Sequence, residues 1–204
     1  PPRSTVAAID TGRVDHVRIE AAVAELLAAI GEDAARPGLV DTPRRVAAAY
    51  QDFFGGLSVD PLSHLADTIE LADGELGELV LVRDIDFRSM CEHHLLPFVG
   101  VAHLAYIPGK KIVGLGKLPR VVDTLASRPQ VQERLTEEIA DALDAGLEPR
   151  GVLVVLDASH TCVTARGVRQ GKSTTVTLAT RGILREPVQR AEVMALIGSA
   201  GTVA

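Results

Sequence analysis

The spacing of apolar residues changes several times along this chain, and the order of those changes limits the fold more than any single motif does. Apolar residues recur at helical spacing from Asp15 to Ile30, with Gly31 as a candidate C-cap. Thr42-Pro43 is typical of a helix start, and that second helix is predicted to end at Phe54. Further patterns predict strands at 79–87, 99–107, 152–156 and 174–184, two helices between 118 and 146, and a last helix at about 187–197.

This order predicts an α+β domain. A turn at Pro108-Gly109-Lys110-Lys111 closes one strand, and residues 112–115 return from it. We expect a four-stranded antiparallel sheet with helices on one face. The boundaries are a flexible arm at 1–14, an N-terminal helical segment at 15–75, and a domain at 76–204 that carries the candidate site. Because the Thr- and Val-rich strand at 174–184 would expose a sheet edge, we also expect oligomerisation through sheet edges.

Composition argues against several classes of function. The 204 residues include 21 Lys and Arg against 27 Asp and Glu, which gives a net charge of −6 and no broad basic face for nucleic acid or a membrane surface. Aromatic residues make up only 3% of the chain, too few for a base-stacking platform. The first residues lack a signal-peptide pattern, and no apolar stretch has the length of a membrane helix. We therefore expect a cytoplasmic protein.

Cys91 and Cys162, the two cysteines, both lie beside histidines. Cys91 and His94 are three residues apart, so one turn of backbone can present a thiolate and an imidazole to the same ion. This donor pair favours zinc over magnesium or calcium, and three protein ligands are typical of a catalytic zinc site. A lone C-x-x-H is nevertheless a weak signal. Two inert buried cysteines, or a Cys–His nucleophile pair, remain open on spacing alone.

A set of cationic residues accompanies this motif in an otherwise acidic chain. Its members are Lys117 and Arg120 after Gly114-Leu115-Gly116, Arg166, Arg169 and Lys172 after Cys162, and Arg45 in the second helix. Arginine forks match phosphate oxygens, so the set indicates an anionic substrate. Solvated surface charges explain each residue equally well when it is taken singly.

Gln132 and Glu133 open a helix whose apolar stripe starts at Val131 and Leu135. A carboxylate there can accept two parallel hydrogen bonds from the N1–H and N2–H₂ donors of guanine. The residues alone favour a simpler interpretation, in which Glu133 is a favourable negative charge in the first helical turn.

Several longer motifs, in order, resemble the GTP cyclohydrolase I family, the zinc enzymes that open pterin and folate synthesis. The similarity runs from about Asp41-Thr42-Pro43-Arg44-Arg45 to the final helix. Its most specific parts are Ser89-Met90-Cys91-Glu92-His93-His94, Tyr106-Ile107-Pro108, Arg128-Pro129-Gln130-Val131-Gln132-Glu133-Arg134-Leu135, and His160-Thr161-Cys162 with Ala165-Arg166-Gly167.

The resemblance implies a role for each matching position. Cys91, His94 and Cys162 match the zinc ligands, and His93 and His160 match histidines that exchange protons with the purine and the opened intermediate. Gln132 and Glu133 match the guanine-recognition segment, and Lys117, Arg120, Arg166 and Arg45 match positions around the triphosphate. The implied fold is the tunnelling fold, in which sheets from several subunits form a barrel. The implied assembly is a homodecamer with active sites between subunits.

The implied reaction is hydrolysis of GTP at C8 with release of formate, giving 7,8-dihydroneopterin triphosphate for folate, pterin or deazapurine synthesis. One position departs from the family: a Ser usually precedes the lysine in Gly-Leu-Ser-Lys, and Gly116 replaces it here. Two alternatives are a non-catalytic nucleotide-binding member of the same fold and a deazapurine nitrile reductase. No dinucleotide fingerprint supports the latter.

Overall fold

The computed structural model describes residues 13–72 and 77–198. In these ranges the helices are α1 (His16–Ala29), α2 (Thr42–Phe54), α3 (Lys117–Ala126), α4 (Gln132–Leu147), α5 (Thr161–Thr164) and α6 (Pro187–Gly198). The strands are β1 (Thr68–Glu70), β2 (Val80–Cys91), β3 (Pro97–Ile107), β4 (Lys111–Val113), β5 (Pro129–Gln130), β6 (Gly151–His160) and β7 (Thr175–Gly182). None of the helices so described has the length and apolar character needed to cross a membrane.

The main sheet has the strand order β5-β2-β3-β6-β7. Its four long strands are antiparallel, as predicted, and β5 adds a short parallel pairing at one edge, where Cys91 lies opposite Gln130. We distinguish two ends of the sheet: the metal end, which lies next to the candidate metal ligands, and the opposite end. At the first, β2 finishes, β3 begins and β6 finishes; at the second, Val80 pairs with Tyr106.

The larger core lies between one face of this sheet and the helices α3 and α4. The stripe predicted for α4 is buried there: Leu135, Ile139 and Leu143 have no exposed surface. They pack in one cluster with Leu104 of β3 and Leu156 of β6. Because side chains alternate across a strand, their neighbours along β3 and β6 point to the other face.

The expectation of helices on one face only is wrong, because α6 covers part of the second face. Val193 of α6 is buried in a separate cluster with Ala105, Leu153 and Val155, which the strands present on that side. The strands are apolar on both faces here, so both faces need cover. The alternation of apolar and charged residues in β2 predicts only one buried face, so it does not indicate that a helix covers the second face.

The return from the turn at 108–111 also differs from the expectation. β4 does not join the main sheet; it pairs with β1 in a separate two-stranded sheet, with Ile112 opposite Ile69. Since β1 is only three residues long, its pattern was too short to predict from sequence.

The N-terminal helices match the sequence closely. Asp15 caps α1 through a hydrogen bond from the Arg18 backbone N–H, and Gly31 follows the helix with a φ of 85°. Helix α2 starts one residue earlier than predicted, with Asp41 as its N-cap. Of the predicted arm at 1–14, residues 1–12 lie outside the described residues, as does the boundary between 75 and 76.

Candidate active site

The first two candidate ligands are brought together by a tight turn after β2. The Cys91 carbonyl accepts hydrogen bonds from the backbone N–H groups of His94 (3.4 Å) and Leu95 (2.8 Å), and the Cys91 N–H donates to the Leu96 carbonyl (2.9 Å). Leu95 closes the turn with a φ of 49°, in the left-handed region. The turn folds His94 back, so that its Nδ1 atom lies 3.9 Å from the Cys91 Sγ atom.

Cys162 reaches the same place from the neighbouring strands. Strand β6 ends at His160, which pairs with Phe98 near the start of β3, and α5 follows directly. The ligand atoms of Cys91, His94 and Cys162 all lie within 4.8 Å of one another. The structure thus brings the three sequence-predicted metal ligands together, although 71 positions separate the two cysteines (162 − 91 = 71).

The donor set and its spacing fit a zinc ion. Zinc binds thiolate at about 2.3 Å and imidazole at about 2.0 Å in tetrahedral geometry, which places the donor atoms roughly 3.5–3.8 Å apart. The 3.9 Å separation of Cys91 Sγ and His94 Nδ1 is close to that value. Burial, and next the neighbouring Cys91, raise the pKa of Cys162. A cation between the two sulfurs would offset both effects, because it stabilises the thiolate.

His160 lies beside this cluster and is held on two sides. Its ring stacks on Phe98, with centroids 4.6 Å apart and planes 5° apart. Its Nε2 atom lies 2.7 Å from Oε1 of Gln132. Burial lowers the pKa of His160, and the charge of nearby Glu133 opposes that shift. A neutral ring in a fixed orientation can exchange a proton with a bound molecule near neutral pH.

His93 is far less constrained. Its side chain is 65% exposed, its Nε2 atom lies 4.0 Å from a carboxylate oxygen of Glu92, and its ring meets that of His94 edge to face. Glu92 forms an ion pair with Arg134 of α4, and the hydrogen bond from Arg134 lowers the pKa of Glu92. This pair links the turn that carries Cys91 and His94 to the first turns of α4.

The predicted guanine-recognition residues differ in exposure. Glu133 is exposed in the first turn of α4, where its carboxylate is open to a ligand. Gln132 is only 1% exposed, and its side chain is directed into the protein.

The predicted cationic residues divide into two groups. Arg166 follows α5, and its charge acts on the Cys162 thiol. Lys117 instead begins α3 at the opposite end of the sheet, where its Nζ atom lies 3.5 Å from a carboxylate oxygen of Asp67. The 10 residues of α3 lead from there towards the metal end, a distance of about 15 Å. Arg120 is exposed one turn further along α3.

Arg45 likewise pairs with a carboxylate that is not part of the metal end. It lies in the first turn of α2, where its guanidinium is 3.2 Å from an Asp41 carboxylate oxygen. The opposite end of α2 leads to Gly56, whose N–H donates to the Ser127 carbonyl near β5. One chain therefore gathers the three metal ligands, His160, Gln132, Glu133 and Arg166, with His93 next to His94. Lys117 and Arg45 pair elsewhere, with Asp67 and Asp41.

Sequence reasoning missed two supports of the site. Phe98, which fixes the plane of the His160 ring, carries no signal beyond that of a core residue in a strand. Arg134 and Glu92 belong to the motifs quoted above, but 42 positions separate them, and only the fold shows that they pair.

The fold and the site define a class: an α+β protein with a candidate catalytic metal centre at one end of an antiparallel sheet. The family model described as GTP cyclohydrolase I matches residues 19–198. "GTP cyclohydrolase 1" of Leifsonia xyli subsp. xyli is 63% identical over 90% of this chain and 96% of its own length. The proteins of the same name from Carboxydothermus hydrogenoformans and Clostridioides difficile are 57% and 54% identical, each over 91% of this chain and 96% and 97% of their own lengths.

A solved structure titled "Crystal structure of the archaeosine synthase QueF-Like in the apo form" matches with a TM-score of 0.44 and 17% identity, over 53% of this chain and 97% of that chain. That likeness is too weak to inform the fold. The family model and the relatives decide the matter: the chain belongs to the GTP cyclohydrolase I family.

Proposed function

We propose that this protein hydrolyses GTP at C8 of the purine, releases formate and forms 7,8-dihydroneopterin triphosphate. The observation that carries the proposal is the cluster of Cys91, His94 and Cys162 beside the fixed ring of His160. Membership of the GTP cyclohydrolase I family supports the choice of substrate. In this reaction two waters add at C8 and one is returned on closure of the new ring, so the balance is one water consumed per formate released.

The proposed cofactor is zinc, held by Cys91, His94 and Cys162. Zinc bound there supplies a nucleophile at neutral pH by lowering the pKa of water. The thiols must stay reduced to act as ligands, so the proposal places the protein in a reducing compartment such as the cytoplasm.

The two histidines take the proton-transfer roles. His160 exchanges a proton with N7 of the purine as electrons move onto that atom, and its stacked, hydrogen-bonded ring is oriented for one direction of approach. His93 is exposed beside His94 and serves the opened intermediate.

Glu133 binds the guanine ring in this proposal, and the cations bind the triphosphate. The exposed Glu133 carboxylate accepts from N1–H and N2–H₂, which other purines do not offer together. Arg166 lies near the candidate metal ligands of its own chain, since its charge acts on the Cys162 thiol. Because Lys117 and Arg45 pair with Asp67 and Asp41 and not with residues of that cluster, we assign them, together with Arg120, to the sites of neighbouring subunits.

We propose a homodecamer of the tunnelling fold, with active sites between subunits. The outer edge of β7 supports this assembly, since β7 pairs only with β6 in the main sheet of the described residues and exposes Val176 and Leu178. Such sheet edges can join into the barrel of the family. The domain at 76–204 is then the catalytic unit, and the helical segment at 15–75 carries Arg45 to it. The product serves folate, pterin or deazapurine synthesis.

Incubation of the zinc-loaded protein with GTP tests the proposal. We expect formate release together with an oxidisable pterin product, both lost with a chelator and restored by zinc. Binding of GTP and zinc without either product would instead support a non-catalytic member of the family.

A further inference from the structure

Gln132 is a fully buried polar side chain whose contacts go beyond substrate binding. It is 1% exposed, and its polar atoms face four groups of its own chain. A buried amide has two donors and one acceptor oxygen to satisfy, so its neighbours determine which way it points.

The donors of the amide are fixed by two backbone carbonyls. The Nε2 atom of Gln132 lies 3.1 Å from the Leu156 carbonyl oxygen and 2.8 Å from the Thr175 carbonyl oxygen. Carbonyl oxygens only accept hydrogen bonds, so the NH₂ group must face them. A flipped amide would set its own oxygen against both carbonyls.

Two threonines confirm this direction. The Thr136 hydroxyl donates to the backbone carbonyl oxygen of Gln132 at 2.7 Å. The Thr136 oxygen is therefore left to accept from the Thr177 hydroxyl at 2.6 Å. The Thr177 oxygen is then an acceptor for Gln132 Nε2, at 3.1 Å, and shares one of the two amide hydrogens with a backbone carbonyl. Every hydrogen bond among Gln132, Thr136 and Thr177 then has one consistent direction.

The remaining atom of the amide, Oε1, lies 2.7 Å from Nε2 of His160. Since Oε1 can only accept, Nε2 of His160 must carry a hydrogen. The stacked ring of Phe98 prevents the imidazole from tilting away from this partner. Among the described residues, Nδ1 of His160 has no hydrogen-bond partner.

We infer that Gln132 is a positioning residue that fixes His160 as the Nε2–H tautomer, so that Nδ1 is the nitrogen that exchanges a proton with the substrate. This assignment rests on the proposed function of His160. It replaces the guanine contact that the sequence motif implies for the Gln132 side chain, and leaves that contact to Glu133. Thr175 and Thr177 belong to β7, so the outermost strand also supports the tautomer.

A spectroscopic measurement on the wild-type protein tests the tautomer without any reference to activity. Protonated and unprotonated imidazole nitrogens give separate ¹⁵N signals. We expect solid-state ¹⁵N spectra of the zinc-loaded, histidine-labelled protein, taken at about pH 8, above the ordinary histidine pKa, to show Nε2 protonated and Nδ1 unprotonated for His160. A His160→Asn variant identifies the signals by their loss. An Nδ1–H signal for His160 would overturn the inference.

Gln132→Met then tests the role, because methionine has a similar length and removes both the donors and the acceptor. We expect mixed tautomers for His160, a kcat about 10- to 100-fold lower, and a KM for GTP within about threefold of wild type. Gln130→Met is the matched control. Gln130 is equally buried, but it contacts Leu125, Arg134 and Glu138 instead of His160. Its substitution should leave the His160 signals unchanged.

The alternative roles give different results. A substrate contact through Gln132 predicts a raised KM with kcat and tautomer unchanged. A purely structural role predicts a lower Tm with kcat and tautomer unchanged in the folded protein. Either result would contradict the inference. If the wild-type protein does not convert GTP at all, the proposed function fails, while the tautomer measurement still stands by itself.

Discussion

The metal end of the sheet and the N-terminal helical pair are built in opposite ways. At the metal end, Gln132 and Cys91 are buried, and His160 is held by a stacked ring and a hydrogen bond. Helix α1 has no buried residue; its Val17 is 79% exposed, and Ile30, which directly follows the helix, is 69% exposed. The difference teaches that one chain preorganises the groups for metal binding and proton transfer. In the proposed function, the groups assigned to the triphosphate, such as Arg45 in α2, lie on surfaces that assembly would bring to a site.

The largest effect is expected from removing a ligand at the preorganised end. Cys162→Ala should abolish bound zinc and lower formate release by more than about 100-fold, since even partners outside the ligand set are worth 10- to 100-fold. Metal analysis and a formate assay on the same sample measure both. Val163→Ala, in the same short helix, is the control and should keep its zinc. A fully active Cys162→Ala protein would rule out the metal assignment.

Glu133→Gln should act mainly on substrate binding, although loss of the Glu133 charge should also lower the pKa of His160 further. Loss of the charge weakens the two hydrogen bonds to guanine, each worth about 1.5–3 kcal/mol when charged, so we expect KM for GTP to rise by at least about 10-fold. Steady-state kinetics and zinc content are the measurements. Asp144→Asn, an exposed carboxylate near the other end of α4, should change neither. Loss of zinc in Glu133→Gln would contradict the separation of the two roles.

Lys117→Ala should weaken the binding of GTP by about 10-fold, the value of one charge-assisted hydrogen bond, and the binding of guanosine by much less. Calorimetric titration with the two ligands measures the difference. Lys110→Ala removes a nearby exposed lysine and is expected to affect neither ligand. Equal effects of Lys117→Ala on both ligands would show that Lys117 does not contact the phosphates.

The smallest effect concerns an ion pair just after α1. The hydrogen bond from Arg36 lowers the pKa of Glu32 from 4.5 to about 2. A depressed carboxyl pKa favours the folded state above pH 4.5, and this contribution is lost as the pH falls towards 2. An NMR titration of the Glu32 carboxyl should give the low pKa in wild type and a higher one in Arg36→Gln, where only the Asp33 backbone N–H still lowers it. Because the pair is exposed, neither Tm at pH 7 nor activity should change noticeably.

Much of the fold was predictable because the local patterns were long. The apolar stripe of α4, the cap of α1 and the four long strands all follow from spacing and from turn residues. β1 and β5 were not predictable, because they are two or three residues long and exist only through their partners. The packing of α6 on the second face could not be predicted from the sequence, because the apolar pattern of a strand buried on both faces does not indicate which helix covers which face.

The site was predictable to a different degree. Cys91, His94 and Cys162 could be proposed because few residue types bind zinc, and the chain has only two cysteines. The contacts of Gln132 could not, since they depend on carbonyls from β6 and β7 that only the folded sheet brings to α4. The separation of Lys117 from the metal ligands is likewise a property of the topology.

Mixing two impaired variants, assayed at a GTP concentration well below KM, tests the central claim, that the chemistry lies within one chain and the triphosphate site between chains. Lys117→Ala and Cys162→Ala proteins, dissociated together and reassembled, form hybrids in which an intact ligand set can face an intact lysine from a neighbour. Random assembly predicts a recovery of about one quarter of the wild-type rate of formate release. If the lysine served the metal ligands of its own chain, no hybrid site would be complete. Activity no higher than the sum of the two separate variants would contradict the account.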